Sequence, residues 1–277
     1  MAEDFKDGFL KTLWIIRDYL SVIVVGGGWV PLIYYHYVLA DKSKEPIRTR
    51  DLDLLVDLEL PVIGSKTVDQ LLLEAGFEPV FKSSDTPPVI RYEGTIAGQE
   101  VEIEFLTDQR GAKEDVAIEV QKGLHAEALR FVSIPINNVI EVIIDDFLIG
   151  EGSQPLRVKV PAPEAFIFHK GLTFVRRKDK QKRAKDLYYV FDILTNCSEF
   201  SERIIKGLKE FKKAHPNWFK RFIRNLKNNF SDLTSDGITM VLSQRPSGDF
   251  PQLNDEQFKQ YVLGTFQEFI GDLNAGR

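Results

Sequence analysis

Between Val24 and Val56 the chain reads VVGGGWVPLIYYHYVLADKSKEPIRTRDLDLLV. No other stretch limits the fold as strongly. It has the pattern of a strand, a glycine turn, a helix, a loop, and a second strand carrying Asp51 and Asp53. Side chains alternate faces along a strand, so these two carboxylates share one face. Like charges held this close call for a cation between them, and a divalent metal bound to a polyphosphate is the commonest such cation. The glycines let a backbone approach phosphate, and the first turn of the following helix turns unpaired N–H groups toward it.

The rest of the chain supplies a setting for this unit. Apolar residues from Phe5 to Leu20 fall at helical spacing, and Ser21 to Val25 reads as a short buried strand. Trp29 to Leu39 reads as a helix with Pro31 in its first turn. Thr67 to Ala75 reads as a helix closed by Gly76. Phe77 to Phe81 reads as a strand, Asp85 to Pro88 as a turn, and Val89–Glu93 with Glu100–Leu106 as a hairpin. Arg130–Ile134, Val139–Ile144 and Leu156–Val160 are further strand candidates. Beyond Pro161 and Pro163 helical periodicity takes over, with helices expected at 163–177, 182–195, 199–213, 216–229, near 237–243 and at 255–273. The expected fold is α+β: a mixed sheet with flanking helices over 1–155, then an all-α helical domain over 156–277.

Composition narrows the setting. With 277 residues, 43% of them apolar, the chain can bury a sizeable core. Its one cysteine, Cys197, excludes an internal disulfide and fits a reducing compartment. No apolar run reaches the roughly 18 residues of a spanning helix, and MAEDFKDGF is acidic, without the basic start of a secretory signal. A cytoplasmic protein with no membrane partner is expected. The net charge of −5 conceals an asymmetry. Arg157 to Phe230 holds 19 Lys and Arg against 7 Asp and Glu, a surplus of +12, so the remainder carries −17. An acidic half that binds metal and a basic half that attracts phosphate would account for this, as would helices with solvated lysine faces. No GxxxxGK loop is present, which argues against a P-loop enzyme.

Gly27-Gly28-Trp29-Val30, followed by Arg48-Thr49-Arg50-Asp51-Leu52-Asp53-Leu54, resembles the DNA polymerase β-like nucleotidyltransferase superfamily, and within it the bacterial AbiEii toxin type. Ala40 to Pro46 departs from the pattern by adding a polar segment that simpler members lack. The resemblance implies that Asp51 and Asp53 ligate metal, with a third acid on a neighbouring strand. VEIEFLTD offers Glu104, in the hydrophobic-acid-hydrophobic-Leu-Thr setting of that acid, with Glu102 as the other choice; an exposed edge strand with alternating glutamates would look the same. Most relatives carry Asp there, so Glu104 is itself a departure. Gly27, Gly28 and the Trp29 backbone would cradle phosphates, and Arg48 would steady them or pair with a carboxylate. In the helical half, FHKGLTFVRRKDKQKRAKDLYYVFDIL resembles the type's lysine and basic-Asp pair. Lys170 would reach the triphosphate, and Asp186, after Lys185, would orient that lysine or bind the nucleotide. Arg176, Arg177 and Arg183 would contact phosphate or sit in an ordinary charged loop. His36 reads as a core or surface residue and His169 as packing or solvent-facing, while His125 and His215 are too isolated to form a metal site with each other.

The implied activity is transfer of a nucleoside monophosphate from an NTP, ATP among them, to an acceptor hydroxyl. Two Mg²⁺ ions would assist, or Mn²⁺ in their place. The acceptor would be an RNA end such as that of tRNA, a protein hydroxyl, or a small molecule. The toxin-like resemblance favours RNA or protein and implies an antitoxin partner. A second reading, of another class, is a degenerate non-catalytic member that binds nucleotide or a partner protein. Glu104 in place of Asp, and Trp29 where a hydroxyl is usual, keep it open.

Overall fold

The computed structural model describes residues 2–47, 49–81, 90–109, 111, 116–145 and 155–275. The chain divides into two compact units, Met1–Ala162 and Pro163–Arg277.

The first unit is built on one mixed sheet. Its helices are α1 (Ala2–Ile15), α2 (Trp29–Ile33), α3 (Val68–Glu74) and α4 (Ser133–Asn137). Its strands are β1 (Val24–Val25), β2 (Asp51–Leu55), β3 (Glu78–Phe81), β4 (Ile90–Ile96), β5 (Gln99–Asp108), β6 (Val116–Gln121), β7 (Leu124–Leu129), β8 (Val139–Ile144) and β9 (Leu156–Pro161). The order runs β3-β4-β5-β2-β1-β9-β8, with β7 beside the far end of β5 and β6 beside β7. β2 pairs parallel with β5 and antiparallel with β1, and β4 pairs antiparallel with β5, so the sheet is mixed around the strand that carries Asp51 and Asp53.

Alternation explains what each face does. On β5, Val101, Ile103 and Phe105 are buried, and Leu52, Leu54 and Tyr92 join them from the neighbouring strands. α1 covers this face: a Cβ at Gly8 would press on Gln99 and Val101. The opposite face carries Asp51, Asp53, Glu102 and Glu104, all of intermediate exposure. At the C-terminal ends of the strands the same face turns apolar. Val24, Leu55 and Val132 pack there with Leu106, Leu129, Ile136 and Val139.

α2 passes directly into a π-helical turn, Tyr34–Val38. Its register is pinned by Tyr34 Oη, which donates to Pro161 O at 2.6 Å. The added loop Ala40–Pro46 is tied back through His36, whose Nε2 lies 2.8 Å from Lys44 O. α3 opens on a capping box in which Thr67 and Gln70 exchange side-chain and backbone bonds.

Two readings of the sheet margin need correction. Arg130–Ile134 is not a strand: Phe131 has φ +69, which breaks an extended run, and α4 follows at Ser133. The hairpin of β6 and β7 was missed. It turns at Lys122-Gly123, with Gly123 at φ +84 supplying the positive φ such a turn requires. The expected turn Asp85–Pro88, and Val89 at the start of the hairpin, lie outside the described residues.

The second unit is helical: α5 (Pro163–Thr173), α6 (Lys180–Asn196), α7 (Ser201–Ala214), α8 (Pro216–Asn229), α9 (Asp236–Ser243) and α10 (Asp255–Asn274). Phe168, Phe191 and Phe222 are fully buried and centre a network of ring contacts. α5 and α8 approach closely because Gly171 has no side chain; a Cβ there would overlap the Phe222 ring. Asn225 of α8 uses the space to donate to Gly171 O at 3.0 Å. β9 belongs to the first unit, so the division falls after Ala162, beyond the expected 155. Among the described residues no helix is long and apolar enough to cross a membrane.

Candidate functional site

The parallel pairing of β2 and β5 sets the acids in rows. Asp51 stands opposite Glu102, and Asp53 opposite Glu104. Partners in register point to the same face, so four carboxylates occupy one patch of sheet. β4 continues the rows, with Glu93 opposite Glu102 and Arg91 opposite Glu104. So much like charge on one half-buried face lowers stability unless cations answer it.

The glycine turn belongs to the same patch. Gly26 N donates to Asp53 O at 2.8 Å, which ties the end of β1 to β2. Gly27 has φ +61, and a Cβ on it would overlap Asp53 Oδ2. The Asp53 carboxylate therefore rests in the space a side chain would fill. Gly28 then leads into α2. Trp29 contributes backbone only here. Its ring is 4% exposed and stacks on Phe9 at 3.9 Å, against the apolar face. Phe9, Trp29, Leu52 and Val101 line a cavity of about 220 Å³ there, rimmed by Arg50, Gln99 and Glu100.

Glu102 and Glu104 are distinguished by their surroundings. Arg91 extends Nη1 to 3.3 Å from Glu102 Oε2 and Nη2 to 2.5 Å from Glu93 Oε1. Glu102 is thus held toward β4, while Glu104 stands in the row of Asp53. Among the described residues no three His, Cys, Asp or Glu side chains already stand together as a metal-ligand set. Arg48 lies outside the described residues.

The expected basic constellation is a feature of the helical unit. Lys170 on α5 is 5% exposed and Asp186 on α6 is 3% exposed. Lys170 Nζ donates to Asp186 Oδ1 at 2.5 Å and Arg177 Nε to Oδ2 at 2.9 Å. Burial pushes the Asp186 carboxyl up, but Lys170 and Arg177 together hold it below the usual carboxylate range. His169 beside them is pushed down to about 3, first by burial and then by the Lys170 charge. Asp179 caps α6, accepting from Gln181 N and Lys182 N, so the charged loop between α5 and α6 has a helix-starting role. Arg176 is exposed, and Arg183 lies over the Phe174 ring at 5.7 Å.

Arg91 was not singled out in the sequence. Its signal is the alternation Arg91-Tyr92-Glu93 on a strand that the hairpin pattern places beside Glu102. Tyr92 points to the other face and donates to Asp69 at 2.7 Å.

A mixed sheet that gathers acids from two adjacent parallel strands beside a glycine turn defines a class of phosphate-handling fold. The comparisons give the family: a model described as nucleotidyltransferase matches residues 18–203, more than half of the chain, and the chain belongs to that nucleotidyltransferase family. No curated protein matches. The crystal structure of an antigenic nucleotidyltransferase-like protein from Paracoccidioides brasiliensis is similar at 17% identity. It has a TM-score of 0.39 over 78% of this chain and 91% of that one.

Proposed function

We propose that the protein transfers a nucleoside monophosphate from an NTP to an acceptor hydroxyl, with Asp51, Asp53 and Glu104 as metal ligands. One observation carries this reading: the β2–β5 register sets Asp53 beside Glu104 while the Asp53 carboxylate fills the missing side chain of Gly27. An all-oxygen anionic donor set suits a hard cation such as Mg²⁺, with Mn²⁺ as a substitute. When bound, such ions offset triphosphate charge and lower the pKa of the attacking hydroxyl.

The chain's own part is positioning. Gly27 keeps the turn tight enough for backbone N–H groups of Gly28 and Trp29 to meet phosphate oxygens. Asp51 and Asp53 would hold the ions that offset the charge of the triphosphate end. Glu104, one methylene longer than the usual Asp, would join them from β5. The acceptor oxygen attacks the α-phosphorus, the bond to the bridging oxygen breaks, and pyrophosphate leaves. Alignment and charge compensation, rather than covalent catalysis by the protein, supply the acceleration.

The acceptor proposed is an RNA end, supported by the surplus of +12 between Arg157 and Phe230; a protein hydroxyl is the other outcome. Nucleotide-binding roles for Arg48, Lys170 and Asp186 rest on the resemblance alone. The test is incubation with α-labelled NTPs, Mg²⁺ and total cellular RNA and protein. Label in the RNA pool, lost in Asp51→Asn/Asp53→Asn, is expected. A parallel melting series should show NTP with Mg²⁺ raising the transition of the wild type and not of the double variant. Absence of both label and shift overturns the reading.

A further inference from the structure

The acid-bearing face holds more carboxylates than three ligands require. Asp51, Asp53, Glu93, Glu102 and Glu104 all lie on it, and the register sets Asp51, Glu102 and Glu93 in one row across three strands. An incoming triphosphate would meet that entire row. Arg91 reaches into it from β4 and forms ion pairs with Glu93 and Glu102 at once.

We infer that Arg91 is a positioning residue that divides this face in two. Its guanidinium ties Glu102 and Glu93 to β4 and so keeps these two carboxylates away from the metal and nucleotide. A planar fork suits two carboxylates better than an ammonium would. The register sets Arg91 opposite Glu104, yet its guanidinium pairs along the strand with Glu102 and Glu93. The inference rests on the function proposed above.

Removing Arg91 should have effects of opposite sign on the two ligands. In Arg91→Met, Glu102 and Glu93 become uncompensated and free to turn. A divalent cation alone then binds more tightly, because the face is more negative. The NTP binds about tenfold more weakly, because the extra charge repels the triphosphate and Glu102 competes for the ion. A purely structural ion pair would weaken both together. Adding Glu102→Gln to Arg91→Met removes the surplus charge and should return NTP binding toward the wild type.

The experiment uses the full chain. Mn²⁺ binding is followed by electron paramagnetic resonance without nucleotide, and NTP binding by the melting shift in saturating Mg²⁺. Tighter Mn²⁺, weaker NTP and recovery in the double variant are expected. Equal NTP binding in wild type and Arg91→Met overturns the inference, as does loss of both ligands without recovery. A wild type that answers no NTP overturns the proposed function instead.

Discussion

At the scale of single residues, two positions are held by neighbours rather than by their own chemistry. Gly27→Ala places a Cβ on the Asp53 carboxylate in a left-handed backbone. The backbone alone costs about 1–2 kcal/mol, and the displaced carboxylate should abolish the NTP-dependent melting shift. Lys170→Met leaves the buried Asp186 with Arg177 as its remaining cation, which should lower stability by about 3 kcal/mol in a denaturant titration. The histidine beside that pair sets a pH window. His169 has its folded pKa well below the ordinary 6.5, so the unfolded chain takes up its proton first. Its stabilising share is complete above about 6.5 and is lost as pH falls toward 3; Asp186, also lowered, reinforces the loss below its ordinary 3.8. Melting temperature should therefore fall from pH 6.5 to pH 4, and His169→Gln should flatten that fall.

At the scale of elements, legibility followed how local the signal was. β2, α3 and the hairpin of β4 and β5 were readable because turn residues, caps and alternation lie within a few positions of one another. The acid pair Asp51/Asp53 was readable for the same reason. The partner of each acid was not, since register is a property of two strands and no single-strand pattern gives it. β6 and β7 were missed because Ala117, Ala126 and Ala128 weaken the β signal, although Ala packs well where space is short. Arg130–Ile134 was misread because its apolar residues suit a strand while Phe131 adopts a positive φ that only tertiary packing explains. The missed hairpin ends on buried Gln121, which accepts from Val68 N at 2.8 Å and donates to Pro61 O at 2.9 Å. Gln121→Leu leaves both backbone groups unmatched and should cost about 2–3 kcal/mol by denaturant titration.

At the scale of the whole molecule, charge rather than shape was visible from the start. The division between acidic and basic stretches is written in composition: the basic stretch 157–230 covers β9 and the first four helices of the second unit, while 231–277 of that unit is acidic again. If RNA is the acceptor, labelling should drop steeply between about 50 and 200 mM salt, since lysine and arginine contacts to phosphate release counterions. NTP binding on the carboxylate face should change far less over that range. The Gly27 turn has one last implication, which concerns handedness. At φ +61 a D-alanine is at ease, and its methyl leaves the α-carbon along the hydrogen that points away from Asp53. Position 27 therefore discriminates between mirror images: an L-methyl meets the Asp53 carboxylate, and a D-methyl takes the other bond of the α-carbon.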